Sequence, residues 1–293
     1  MSRKFPRLLK PIIDVAVPWN VLEEAPDERE KVRKISYICR GAAIFQAGTL
    51  YVYTYGKYDP KELRFLMRNL EYLVTPPYLR KQLFKLEPEL KLAGLLAPLR
   101  TPSHYATKDR PRPGDYAEGV VVRWDGYYSI VKIGENLYAK IPRPYPIGTV
   151  LTLRIEAETG REDTFRAHVV DKDKLGIYWN IKVGSKSLKE LISSQDYSLI
   201  ILTGKEGKDI RTCYKEIASR LRRAREDDKK ILVIFGSPRM GVDQIFREEG
   251  LEIEEPRMMF LNFIPEQGVD TVRTEEAIVA VLSILHFMRT CLM

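Results

Sequence analysis

The stretch Asn262–Phe287, "NFIPEQGVDTVRTEEAIVAVLSILHF", changes character at one residue. Up to Arg273 it reads as the end of a strand followed by a polar loop, with one proline, one glycine and no long apolar run. From Thr274 it reads as a helix, because Ala277, Ile278, Val281, Leu282 and Leu285 recur on one face. Two earlier runs, "ILTGKEG" (201–207) and "VIFGSPRMG" (233–241), repeat the first half of this pattern: an apolar strand enters a loop of small residues. In an open α/β sheet, ligands lie just beyond the carboxyl ends of the strands, and small residues there let backbone groups come close. Three such loops in successive strands point to one ligand site. No G-x-x-x-x-G-K-[ST] and no strand-borne G-x-G-x-x-G occurs, which disfavours an enzyme using another nucleotide.

Working outward, "PIIDVAVPW" (11–19) has the length of a buried strand. The helix after it has Asp27 as N-cap and is expected to stop at Gly48. "TLYVYTYG" (49–56) is a β-branched and aromatic strand. Next comes a helix with Pro60 at its first position and Leu63, Leu66, Met67, Leu70 and Leu73 on one face. Strand–helix alternation predicts a parallel sheet covered by helices.

The texture then becomes rich in proline and turns. Six short strand-like runs follow, "GVVVRWDG", "YYSIVKIG", "NLYAKIP", "TVLTLRIEAE", "TFRAHVVD" and "GIYWNIKVG", so five or six strands are expected to close a small barrel. After "SLKELISSQ" (187–195) the α/β alternation resumes. The expected organisation is one α/β domain from 1–92 and 179–293, interrupted by a barrel at 93–178.

The chain has 293 residues and a net charge of +8, which suits an anionic partner without naming it. Its three cysteines and three histidines are scattered, with no disulfide framework and no metal-ligand spacing. The basic N-terminus has too short an apolar run for a signal peptide or membrane span, so a cytoplasmic setting is expected. Basic clusters lie at 2–10, 80–85, 108–113 and 220–225. The barrel carries Tyr105, Tyr116, Trp124, Tyr127, Tyr128, Tyr138 and Tyr145. Small barrels of this kind stack single-stranded bases on aromatics beside basic side chains.

The run "NFIPEQGVDTVRTEEAI" resembles the last loop motif of the SPOUT methyltransferases, and "VIFGSPRMG" resembles their middle loop. "PPYLRKQLFKLEPELKLAGLLAPLRTPSH" (76–104) resembles the segment before the inserted barrel of the archaeal and eukaryotic SPOUT subfamily that carries an OB-fold insertion. The resemblance implies an α/β fold: a SPOUT-type knotted parallel sheet with helices on both faces, plus an inserted OB-like β-barrel. It implies a homodimer and S-adenosylmethionine bound among the knot loops. The implied cofactor contacts are Thr203, Gly204, Gly236, Ser237, Ile264, Gln267, Gly268, Val272 and Thr274, with Thr274 also capping the last helix.

In the ribose-methylating branch an arginine on the first long helix activates the hydroxyl, and Arg40 stands at that position. The asparagine that accompanies it has no counterpart; Arg33 stands at about that distance. Glu266 and Arg273 are the other candidates for the acceptor pocket. The function expected is methylation of RNA, ribosomal rather than transfer RNA, at a uridine base or a ribose 2′-hydroxyl. The competing expectation is an RNA-binding ribosome-assembly factor of the same fold with weak catalysis.

Overall fold

Side chains that alternate along a strand reach both faces of a sheet, so strands that are apolar throughout need cover on both. Strand β1 (Ile13–Pro18) is buried at every position and forms the middle of such a sheet. The structure is a computed structural model and describes residues 5–107 and 109–291. Residues 2–4 of the first basic cluster and Lys108 of the third lie outside the described residues.

After β1 come α1 (Glu28–Ile44), β2 (Ala47–Thr54), α2 (Pro60–Val74) and the single turns α3 (Arg80–Leu83) and α4 (Pro102–Tyr105). Strands β3 (Tyr116–Trp124), β4 (Ser129–Lys132), β5 (Tyr138–Ile141), β6 (Val150–Thr159) and β7 (Arg161–Val169) follow. The chain ends with β8 (Lys182–Ser187), α5 (Leu188–Ser193), β9 (Tyr197–Asp209), α6 (Ile210–Glu226), β10 (Lys230–Ile234), α7 (Val242–Glu248), β11 (Met258–Asn262) and α8 (Thr274–Cys291). Two compact units result. One comprises residues 1–8, 72–88 and 99–180, and the other 9–71, 89–98 and 181–293.

The larger unit holds a six-stranded parallel sheet in the order β11-β9-β10-β1-β2-β8, flanked by helices. Helices α5 and α7 bury Leu188, Leu191, Val242, Ile245 and Phe246 against Ala16, Ile200, Leu202, Leu232 and Ile234. The alternate strand residues Val15, Val17, Leu199, Ile201 and Val233 are equally buried, on the face served by α1, α6 and α8. Asp27 caps α1 as expected, accepting from the Glu30 N–H at 2.9 Å. Helix α1 does not run to Gly48, however. It ends at Ile44, and Gln46 takes the left-handed backbone (φ 54°) that turns the chain into β2. Gly48 lies inside β2, where a Cβ would fall 2.6 Å from the Asp14 carboxylate.

The smaller unit holds the closed five-stranded barrel, β3-β4-β5-β7-β6. Its pairings are antiparallel except for β5 with β7. Inward residues such as Ala117, Val121, Val131, Leu153 and Phe165 fill it. The run "GIYWNIKVG" adds no barrel strand. Its end passes into β8, which extends the parallel sheet by pairing with β2.

His104 is buried in this unit. Its Nε2 lies 3.0 Å from the Val74 carbonyl, and its Nδ1 has no hydrogen-bond partner among the described residues. Burial pushes its pKa down from 6.5 to about 4, with Arg80 adding repulsion and the Val74 bond opposing the shift. The folded group therefore stays neutral while the unfolded one takes up a proton as pH falls below 6.5. Stability present above pH 6.5 is lost progressively towards pH 4, by roughly 3 kcal/mol in all. Thermal unfolding of His104→Gln from pH 7 to 4 should show a flatter pH dependence than the parent. Parallel curves would rule the histidine out as the source.

Candidate functional site

The carboxyl ends of β1, β9, β10 and β11 supply loops that meet the start of α8 around a cavity of about 280 Å³. Strand β9 does not stop at Leu202. Leu202 pairs with Phe260, but the next partner pair is Lys208 with Leu261, so Thr203–Gly207 is looped out of the ladder. Within it the Thr203 hydroxyl donates to the Ile234 carbonyl at 3.1 Å. Asn262 Nδ2 donates to the Lys205 carbonyl at 2.9 Å. Gly207 rests on backbone, because a Cβ there would stand 2.7 Å from the Leu261 nitrogen and 2.8 Å from that of Asn262.

The loop after β10 is fixed by Ser237. Its N–H donates to the Met240 carbonyl at 2.9 Å, and its hydroxyl accepts from the Met240 N–H at 3.0 Å. Tyr53 donates to the Phe235 carbonyl at 2.8 Å and holds the strand end from below. In the loop after β11, both donor bonds of Gln267 Nε2 go to its own turn, to the carbonyls of Val269 and Asp270 at 2.9 Å each. That leaves the Gln267 carbonyl oxygen for a ligand.

At the helix start Arg273 is the N-cap. Its carbonyl accepts from Ala277, and its N–H donates to the Glu276 carboxylate at 3.0 Å. Thr274 is therefore the first helical residue rather than the cap, and it is buried against the cavity. Apolar wall comes from Phe235, Ile264, Val272 and Val281; charge comes from Glu24, Lys205, Asp270 and Arg273. Glu24, in the loop after β1, is bonded by the buried Lys34, whose ammonium also lies 3.4 Å from Glu275. Lys205 and Asp270 face each other at 3.6 Å.

Of the cofactor contacts expected from the sequence, Thr203, Gly204, Gly236, Ser237, Ile264, Gln267, Val272 and Thr274 line this cavity. Gly268 does not, and a Cβ on it would meet nothing within 4 Å. Arg273 reaches the wall, whereas Glu266 and Arg40 do not. Glu266 points to solvent in a left-handed turn (φ 61°) and pairs with Arg211 at 3.0 Å. Arg40 donates to the Pro98 carbonyl. Lys205, Phe235 and Asp270 lie inside the three loop runs without standing out there as contacts, and Glu24 belongs to none of those runs. Among the described residues no helix is long and apolar enough to cross a membrane, and no cluster of three or more His, Cys, Asp or Glu is placed to hold a metal.

Residues 12–285 match the family described as "Putative RNA methyltransferase". An uncharacterised protein of Haloarcula marismortui is 30% identical over 287 residues, covering 92% of this chain and 97% of its own length. The human 28S rRNA (uridine-N(3))-methyltransferase is 28% identical, over 94% of this chain and 77% of its own. The Drosophila melanogaster protein of the same name is 26% identical, over 94% and 61% respectively. With a match along nearly its whole length, the chain belongs to this family of RNA methyltransferases and is a methyltransferase.

Proposed function

We propose that this protein methylates N3 of a uridine in ribosomal RNA, with S-adenosylmethionine as methyl donor. The observation that carries the reading is the single cavity where the looped-out end of β9, the Ser237 turn, the Gln267 loop and the start of α8 converge. The residues present fit the donor. Phe235, Ile264, Val272 and Val281 offer apolar wall to a nucleoside and a thioether chain. Glu24 and Asp270 suit its cationic groups, and Lys205 suits its carboxylate. When bound, S-adenosylmethionine supplies an electrophilic methyl group on a positively charged sulfur.

The remaining work is positioning and removal of a proton. N3 of uridine carries a hydrogen that must leave as the N–CH3 bond forms, and the wall carboxylates Glu24 and Asp270 are the groups able to take it. Arg273, whose guanidinium makes no hydrogen bond or ion pair among the described residues, is free to hold a uridine carbonyl or a phosphate. Arg40 holds residues near Pro98 to α1.

In this reading the chain between β11 and α8 makes a SPOUT-type trefoil crossing, supported by the resemblance of residues 262–278 to the last loop motif of that fold. The methyltransferase domain is assigned to 1–92 and 179–293, the RNA-binding insertion to 93–178, and the setting is cytoplasmic. A homodimer is part of the same proposal. Tyr37 and Ile44 on α1 and Val279 and Phe287 on α8 are exposed, Phe287 to 69%, although α1 and α8 pack together with Val279 3.2 Å from the Cβ position of Gly41. Phe287→Asp should convert a species of twice 33.9 kDa into a monomer in sedimentation equilibrium. An unchanged mass would place the interface elsewhere.

The test of function is transfer of labelled methyl from S-adenosylmethionine to total RNA from a strain lacking this gene, compared with RNA of the parent. Label confined to the deletion strain's ribosomal RNA, recovered as 3-methyluridine, is expected. Label in another nucleotide would overturn the acceptor. No label in RNA or in precursor particles, despite measurable cofactor and RNA binding, would leave an assembly factor.

A further inference from the structure

Lysine is seldom buried, because its ammonium needs counter-charges once water is removed. Lys34 on α1 is 5% exposed, and it finds carboxylates on two other elements. It donates to Glu24 Oε1 in the loop after β1 and lies 3.4 Å from Glu275 Oε2 in the first turn of α8. These are its only ion pairs among the described residues. Glu275 stands where the dipole of α8 already favours an anion, and it has no place on the cavity wall. Glu24 does line the cavity, and it comes from a stretch that is neither helix nor strand. What fixes its side chain is Lys34.

The bond occupies one carboxylate oxygen. Glu24 Oε1 is held by Lys34, while Oε2 has no hydrogen-bond partner among the described residues. The side chain is 36% exposed, partly withdrawn from water and still within reach of a ligand. The other carboxylate of the wall is placed differently. Asp270 is 94% exposed and faces Lys205, also exposed, at 3.6 Å, a pair that water screens and that fixes neither partner. Attraction to a cationic donor tolerates such freedom. Removal of a proton does not, since it needs an oxygen at a set place.

We infer that Glu24 takes the N3 proton of the uridine and that Lys34 is its positioning residue. The inference rests on the uridine reading above and deepens it by separating the roles of the two wall carboxylates. The N3–H bond breaks, its proton passes to Glu24 Oε2, and its electron pair forms the N–CH3 bond. The pair of the broken S–CH3 bond stays on sulfur, which leaves as a neutral thioether. Lys34 touches neither reactant. It holds Oε1, and so keeps Oε2 at the wall.

The experiment uses the full chain, labelled S-adenosylmethionine and ribosomal RNA from the strain lacking this gene. Glu24→Gln should lower kcat at least about a hundredfold, the lower end of what a positioned base supplies. Lys34→Met leaves the base present but loose. It should lower kcat about tenfold, with KM for RNA and the calorimetric dissociation constant for S-adenosylmethionine within about twofold of the parent. In the Glu24→Gln background the same change should cost nothing further, because a residue that acts through another is not additive with it. A lysine that only braced α1 against α8 would cost the same in both backgrounds, and that result overturns the inference. Loss of S-adenosylmethionine affinity in Glu24→Gln also overturns it, giving the carboxylate to the donor's positive charge. Lys34→Met strands Glu275 without a counter-charge; if it fails to fold, adding Glu275→Gln removes that charge, and the same tenfold fall is expected. A parent that transfers no methyl overturns the uridine reading, and the role of Glu24 with it. An active parent with full kcat in Lys34→Met overturns the positioning role alone.

Discussion

Replacing Gly236 with alanine is expected to lower methyl transfer about a hundredfold, the loss that follows a displacement of about 1 Å at a positioned site, and to weaken binding of S-adenosylmethionine. The reason lies in what surrounds the glycine. A Cβ there would stand 2.8 Å from the Met240 carbonyl oxygen and 2.9 Å from the Val242 nitrogen. Both are backbone atoms of the turn that Ser237 closes, so no side chain can swing aside to make room. The turn itself must move, and it carries Ser237, Pro238 and Gly241, all on the cavity wall. Gly268 provides the contrast. The sequence marks it as strongly as Gly236, but it has open space about its Cβ position and no place on the wall. Gly268→Ala should bind within about twofold of the parent, the spread of an ordinary exposed substitution. Calorimetry on the two variants, with circular dichroism to confirm folding, separates a cavity built on the Ser237 turn from one centred on the Gln267 turn. Equal affinities would remove Gly236 from the site.

The comparison of these two glycines shows what a linear sequence carries and what it omits. Strand–helix alternation was legible because buried parallel strands carry continuous apolar runs, as Val15–Val17 of β1, Leu199–Leu202 of β9 and Ile231–Ile234 of β10 do. Strand β8 was not, since "KVGSKS" is an edge strand with mixed exposure and no alternation to read. Its pairing with β2 depends on where the chain returns after the barrel, which is a long-range property. The end of α1 was misplaced because glycine is the usual left-handed residue, while here Gln46 takes that role and Gly48 is needed small beside Asp14. At the site, the loops after β9, β10 and β11 were legible from their small residues at strand ends. Glu24 was not, because it reaches the wall from the loop after β1, with nothing in its neighbours to signal a ligand.

Arg289→Met should lower stability by about 3 kcal/mol, the range found when a buried charged donor is taken from its partners, and shift the thermal midpoint by on the order of 6–10 °C. Arg289 is fully buried near the end of α8. Its guanidinium donates to the Pro11 carbonyl at 3.1 Å and to the Phe45 carbonyl at 2.7 Å, tying the helix to the segments before β1 and after α1. The cation also sits where the helix dipole favours it. Methionine fills part of the volume but supplies no donor, so the buried Pro11 carbonyl and the half-buried Phe45 carbonyl lose a partner. Arg289→Lys keeps the charge without the planar fork; one ammonium replacing two diverging donors should recover less than half of the loss. The other end of α8 carries Thr274, Ala277 and Val281 into the cavity, so the anchor and the site share one rigid element. Well below the new midpoint the helix remains docked, and affinity for S-adenosylmethionine should match the parent. Stability loss with unchanged affinity assigns Arg289 to anchoring. A fall in affinity at a temperature where the variant is folded would show instead that α8 shifts along its axis when released, and that the cavity depends on where its far end is held.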